Sequence, residues 1–125
     1  MEGNERTVLV VDDEPALRLL CRVNLELDGY RVLEAGTVAE ARELVGREPI
    51  DVVLLDFHVG AGSGIDVLDE LEALDLPTRV IMLSGTSEIS AELRARVDGV
   101  LGKPFGLAEL SDAVSGKGSG RVASE

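Results

Sequence analysis

Thr7-Val-Leu-Val-Val-Asp12-Asp13-Glu14-Pro15 is the stretch on which the fold turns. Thr7–Val11 is a short apolar run with no polar alternation, the pattern of a strand covered on both faces. It breaks abruptly into three acids. Pro15 then suits the first turn of a helix, where its missing N–H leaves no bond unmade. Outward from this unit, Val52-Val-Leu-Leu and Val80-Ile-Met-Leu repeat the continuous apolar run. Weaker β-branched runs occur at Tyr30–Glu34 and Gly99–Leu101. Strands are therefore expected at Thr7–Val11, Tyr30–Glu34, Asp51–Leu55, Thr78–Leu83 and Gly99–Leu101.

Helical periods fill the gaps. Leu17, Leu20, Asn24 and Leu27 fall on one face, and Val38, Ala41 and Val45 on the next helix. Leu68, Leu71 and Leu74 mark a third, Ile89 and Leu93 a short fourth, and Leu107, Leu110 and Val114 a fifth. Gly29 and Gly46 stand where helices are expected to stop. Five βα units imply an α/β fold, a doubly wound five-stranded parallel sheet of flavodoxin-like (βα)5 type. Right-handed crossovers favour the strand order 2-1-3-4-5.

Composition bounds what such a domain does. The chain has 125 residues, with 12 Lys and Arg against 24 Asp and Glu, a formal charge of −12. That length holds one ordinary core. A surface so acidic repels phosphate backbones and anionic membranes, so neither direct nucleic-acid binding nor membrane binding is expected. The apolar runs are too short to span a bilayer, and no charged-then-apolar leader precedes the first strand. A single cysteine makes no internal disulfide, and with a single histidine it makes structural zinc improbable. These features indicate a cytoplasmic domain. Cys21 reads as buried packing within an apolar helix.

In doubly wound sheets the ligand crevice lies beyond the carboxyl ends of the strands. There the chain places Asp12-Asp13-Glu14, Asp56, Ser84 and Gly102-Lys103-Pro104. Three crowded carboxylates cannot all stay ionised unaided. A cation resolves the conflict, and an oxygen-only donor set points to a hard ion, Mg²⁺ before Ca²⁺ or Mn²⁺. Lys103 adds a point charge and Ser84 a hydroxyl, a set suited to stabilising a transferring phosphoryl group.

The motifs Val11-Asp12-Asp13-Glu14-Pro15, Leu54-Leu55-Asp56, Leu83-Ser84-Gly85 and Lys103-Pro104-Phe105 together resemble the receiver domain of bacterial two-component response regulators. The resemblance covers roughly residues 6–115, so residues 1–115 are expected to form a receiver domain. Residues 116–125, with Gly-Lys-Gly-Ser-Gly and no apolar stripe, read as a flexible tail or the start of a linker. The resemblance implies that Asp56 accepts a phosphoryl group from a histidine kinase or a phosphotransfer protein. Asp13 would be a direct Mg²⁺ ligand, Asp12 would hold the ion largely through water, and the His58 backbone carbonyl would complete the protein ligands. Lys103 would pair with the phosphoryl group, and Ser84 would be the switch hydroxyl. The product is a self-setting signalling switch rather than a turnover enzyme, and a downstream output domain or protein reads it. No oligomeric state is specified.

Three departures from the family pattern stand out. Val100 occupies a position that usually holds Tyr or Phe. The stretch from Ser84 to Lys103 is about one helical turn short, leaving Glu88–Arg96 as a marginal fourth helix. Gly60-Ala-Gly-Ser-Gly64 replaces a proline-bearing loop and resembles a nucleotide loop without its spacing. The first two sustain an alternative, a receiver-like interaction module acting without phosphorylation. A phosphatase acting on outside substrates would need Glu14 or His58 as its acid. The set Asp12, Asp13, Asp56, Ser84 and Lys103 argues against the interaction module, since a pure scaffold does not need that charge arrangement.

Overall fold

The computed structural model describes residues 6–85 and 89–116. The central sheet contains β1 (Thr7–Val11), β2 (Arg31–Ala35), β3 (Val52–Asp56), β6 (Arg79–Ser84) and β7 (Gly99–Gly102). Between β3 and β6 lies a small antiparallel hairpin, β4 (His58–Val59) with β5 (Gly62–Ser63). The helices are α1 (Pro15–Leu27), α2 (Val38–Arg47), α3 (Gly64–Ala73), α4 (Ala91–Arg94) and α5 (Leu107–Ser115). The large sheet runs β2-β1-β3-β6-β7 with every pairing parallel. This is the expected 2-1-3-4-5 order once the hairpin strands are set aside.

Period-two alternation divides the core between the two faces of the sheet. Leu9, Val11, Val53, Leu55, Val80 and Met82 pack against Ala41, Val45, Val67, Leu68, Leu71 and Leu93 from α2, α3 and α4. Val8, Val10, Val52, Leu54, Ile81 and Leu83 pack against Cys21, Leu25, Leu110 and Val114 from α1 and α5. Both faces of the sheet are thus covered, which is why the three central strands carry no polar alternation.

Several boundaries differ from the sequence reading, each for a local reason. β2, β3 and β6 begin and end one residue later than expected. Asp51 ends a connection rather than starting a strand, because its carboxylate accepts the Thr7 amide at 2.8 Å. Thr78 spends its hydroxyl on the Ile50 carbonyl at 2.9 Å. Gly29 adopts φ +99 just past α1, as expected of a helix stop. Gly46 does not stop α2, which runs on to Arg47. The helix ends because Pro49 forces Glu48 into extended backbone, φ −108 and ψ 146. Of the expected α1 face, Leu17 is partly buried, whereas Leu20 is 44% and Leu27 80% exposed. The true inner stripe is Leu17, Cys21 and Leu25, at i, i+4 and i+8.

The fourth helix is shorter than the expected Glu88–Arg96, spanning only Ala91–Arg94, with Ile89 ahead of its first turn. Ser90 accepts the Leu93 amide as its N-cap, and Leu93 is buried. Glu88 lies outside the described residues, as do 117–125 of the expected tail. No helix among the described residues is long and apolar enough to cross a membrane.

Cys21 faces the core beneath α1, where burial first, and then the charge of Asp12, push its thiol up to about 11. The folded protein is expected to resist iodoacetamide at about pH 8 under conditions that fully alkylate the urea-unfolded chain. Mass spectrometry reads the difference directly, and rapid labelling of the native state would contradict this burial.

Candidate functional site

The sheet order reverses direction between β1 and β3, opening a crevice beyond their carboxyl ends. Asp12 is the first residue past β1, and its amide donates to the Ala35 carbonyl at 3.1 Å. Its carboxylate Oδ1 accepts the Glu14 amide at 2.9 Å, closing a tight turn that aims the other oxygen into the crevice. Asp56 is the last residue of β3, and Ser84 is the last of β6. Asp12, Asp56 and Ser84 are buried, whereas Asp13 is exposed at the rim. Lys103 follows β7, and its amide bonds the Ser84 carbonyl at 2.7 Å, adding one rung to the β6–β7 ladder. The Lys103–Pro104 peptide bond is cis.

From there Lys103 Nζ donates to Asp12 Oδ2 at 2.9 Å and to Asp56 Oδ2 at 3.2 Å. One oxygen from each of Asp12, Asp13 and Asp56 lies within 4.8 Å of the others. All five side chains singled out by their strand ends therefore stand at one edge of the sheet. The imidazole of His58 does not join them. It is exposed, edge-on to Phe57 with ring centroids 4.8 Å apart, while its main chain belongs to the hairpin that follows Asp56.

Electrostatics sharpen the geometry. Burial, and then the charge of Asp12, hold the Asp56 carboxyl above its ordinary range, with Lys103 opposing both. For Lys103, burial works against the charged form. The hydrogen bond to Asp12 and the charges of Asp12 and Asp56 outweigh it and raise the lysine. One ammonium thus faces three carboxylates. The unbalanced negative charge, the close oxygens and the lack of sulfur or imidazole donors among them suit a hard divalent cation.

Two contributors were not legible in the sequence. Gly64 opens α3, and a Cβ there would run into the carbonyl oxygen of Asp56. Arg18 Nη1 reaches the Asp12 carbonyl at 2.7 Å. An arginine on a helix ordinarily reads as a solvated charge, and only Gly36, which leaves room for its guanidinium, hints otherwise.

A parallel doubly wound sheet with three aspartates, a lysine and a buried hydroxyl at its strand ends has the architecture of a receiver domain. The chain belongs to the response regulator receiver domain family, whose model matches residues 8–115. It is 41% identical over 106 residues to the transcriptional regulatory protein KdpE of Mycobacterium tuberculosis, covering 82% of this chain but 46% of KdpE. It is 32% identical over 114 residues to sporulation initiation phosphotransferase F of Bacillus subtilis, covering 89% of this chain and 91% of that protein. Among solved structures, the response regulator TrrA of Thermotoga maritima, in complex with Mg²⁺ and BeF, superposes with a TM-score of 0.81 at 29% identity, covering 90% of this chain and 98% of TrrA. The chain thus spans less than half the length of KdpE and nearly the whole of the phosphotransferase. It is a receiver domain of the response regulators of two-component systems, a class of signalling proteins rather than turnover enzymes.

Proposed function

We propose that this domain is a phosphorylation-dependent switch of a cytoplasmic two-component pathway, with Asp56 as its phosphoacceptor. One observation carries the reading: Lys103 Nζ bridges the carboxylates of Asp12 and Asp56 at the strand ends. A lysine so placed already stands where charge develops when a phosphoryl group arrives on Asp56.

An Asp56 carboxylate oxygen attacks the phosphorus of a phosphohistidine on a kinase or phosphotransfer protein. The new O–P bond forms as the P–N bond breaks, and the imidazole leaves with the electron pair. Lys103 neutralises charge on the transferred oxygens without having to reorganise. Asp12, Asp13 and the His58 carbonyl, with Asp56 itself, would hold Mg²⁺, which supplies further charge neutralisation at the same oxygens. Ser84, buried at the end of β6, offers its hydroxyl to a phosphoryl oxygen and carries the change into the segment that follows. Two conformations then exchange dominance, and a downstream domain or protein reads the difference. Val100 is partly buried against the core and cannot copy the rotamer change of an aromatic ring, so the readout near β7 is expected to be small.

A cleft of about 400 Å³ lined by Glu14, Leu17, Leu20, Lys103, Pro104 and Phe105 opens beside the site. It gives a phosphodonor protein an apolar surface next to the lysine.

Intact mass after incubation with acetyl phosphate and Mg²⁺ tests the proposal. A single labile phosphoryl adduct is expected, absent without Mg²⁺ and absent in Asp56→Asn. Folded protein that takes no adduct and binds no Mg²⁺ would establish the phosphorylation-independent module instead.

A further inference from the structure

All four polar atoms of Asp12 are engaged, and one partner is a side chain from α1 that plays no other part in the site. The amide donates to Ala35, Oδ1 accepts from Glu14 and Oδ2 accepts from Lys103. The remaining atom, the main-chain carbonyl, lies past the end of β1, where the strand ladder has stopped. It accepts Arg18 Nη1 at 2.7 Å, the shortest of the four bonds.

The guanidinium that makes this bond is itself fixed. Arg18 Nε donates to Glu34 Oε1 at 3.1 Å, and Glu34 Oε2 accepts Arg22 Nη1 at 2.8 Å. Gly36 supplies the space, since a Cβ there would stand 2.8 Å from Nη1 and 3.4 Å from Cζ of Arg18. Glu34, shared between Arg18 and Arg22, holds the Arg18 guanidinium in place. An arginine present only for surface pairing would need Glu34 alone. Here the planar fork divides its donors between that carboxylate and the buried strand end.

We infer that Arg18 is a positioning residue, which by gripping the main chain of Asp12 holds the Asp12 carboxylate where a cation and Lys103 require it. This rests on the reading of Asp12 as part of a Mg²⁺ site. Groups that orient the ligands of a metal without touching it commonly set its affinity, and Arg18 reaches the site only through Asp12.

The test is Mg²⁺ titration by calorimetry on the full chain at constant ionic strength, at temperatures where circular dichroism shows every variant folded. Arg18→Ala is expected to weaken Mg²⁺ binding by about tenfold. Arg18→Lys, which keeps the charge and one donor, recovers part of the loss. Gly36→Ala leaves Arg18 in the sequence but puts a methyl group where the guanidinium tip lies. The atom displaced is the free end of a flexible side chain, so the fold survives and the affinity falls in the same direction. The double variant binds no more weakly than Arg18→Ala alone, because both changes break one contact. In metal-free protein, the Asp12 carbonyl ¹³C resonance, read through the Asp13 amide, moves in both single variants. Wild-type affinity in Arg18→Ala and Gly36→Ala would overturn the inference, even if both melted at lower temperature. A wild-type chain that binds no Mg²⁺ would overturn the reading of the site and this inference with it.

Discussion

Replacing Lys103 with Met is expected to slow phosphoryl capture at Asp56 by about 100-fold or more, the usual cost of removing one preorganised donor to developing charge. Initial rates of adduct formation from acetyl phosphate, followed by intact mass at saturating Mg²⁺, measure this. Met keeps most of the side-chain volume, so the effect isolates the ammonium. The same substitution leaves the buried carboxylates of Asp12 and Asp56 without their shared cation. Breaking a buried pair costs about 3–5 kcal/mol. Lys103 is 25% exposed, and solvent access reduces the expected loss in metal-free protein to about 1–3 kcal/mol. Urea unfolding with and without Mg²⁺ separates the two effects. Added Mg²⁺ restores much of the stability by mass action on the folded state, but not the rate. A rate unchanged from wild type would remove Lys103 from the mechanism.

This conflict between stability and function also explains what could be read from the sequence. The strands were legible because both-face burial erases polar alternation, as in Thr7–Val11 and Val52–Leu55. The acidic site was legible because nothing about a strand end calls for Asp12, Asp13 and Asp56 to crowd together. Burial and mutual repulsion raise the Asp56 carboxyl, a condition that packing alone would not favour. Such locally unfavourable groups are where function shows through a sequence.

Other features failed to show for equally physical reasons. On α1 the apolar residues occupy most of the helix surface, so several faces satisfy a helical period. Burial chose the one that includes Cys21 and Leu25 and left Leu19, Leu20, Val23 and Leu27 substantially exposed. The end of α2 was misplaced because glycine is tolerated within a last turn, whereas the residue before a proline is forced out of helical backbone. Arg18 went unseen because its partner is a main-chain oxygen, and no side-chain pattern marks a carbonyl.

The glycine loop after Asp56 shows most clearly where a sequence stops informing. Gly60, Gly62 and Gly64 look alike in Gly60-Ala-Gly-Ser-Gly64, yet they carry different loads. Gly60 has φ +60 and open space around it, so Ala there meets only backbone strain of about 1 kcal/mol. A Cβ at Gly62 would approach Val38 Cγ2 at 2.8 Å, so that a β-branched side chain must shift, at an expected cost of about 1–2 kcal/mol. Gly64 is different. Its amide donates to the Phe57 carbonyl at 2.8 Å, drawing the first turn of α3 against the end of β3. A Cβ at Gly64 would collide with the Asp56 carbonyl oxygen, 3.1 Å from Leu55 Cγ and 3.3 Å from the Asp56 carbonyl carbon. These atoms belong to a central strand and its core, and none can swing away. Gly64→Ala is therefore expected to destabilise the fold by about 3 kcal/mol, at the upper end of overpacking. It should also slow phosphoryl capture by about 100-fold, because the obstructed residue is the phosphoacceptor itself and misplacement by about 1 Å suffices for such a loss. Urea midpoints of the three alanine variants, measured beside their adduct rates, check the ranking. Equal effects at all three positions would mean that the loop needs glycine only for flexibility. A loss concentrated at Gly64 would mean that the glycine is there so that α3 can press against the strand that presents Asp56.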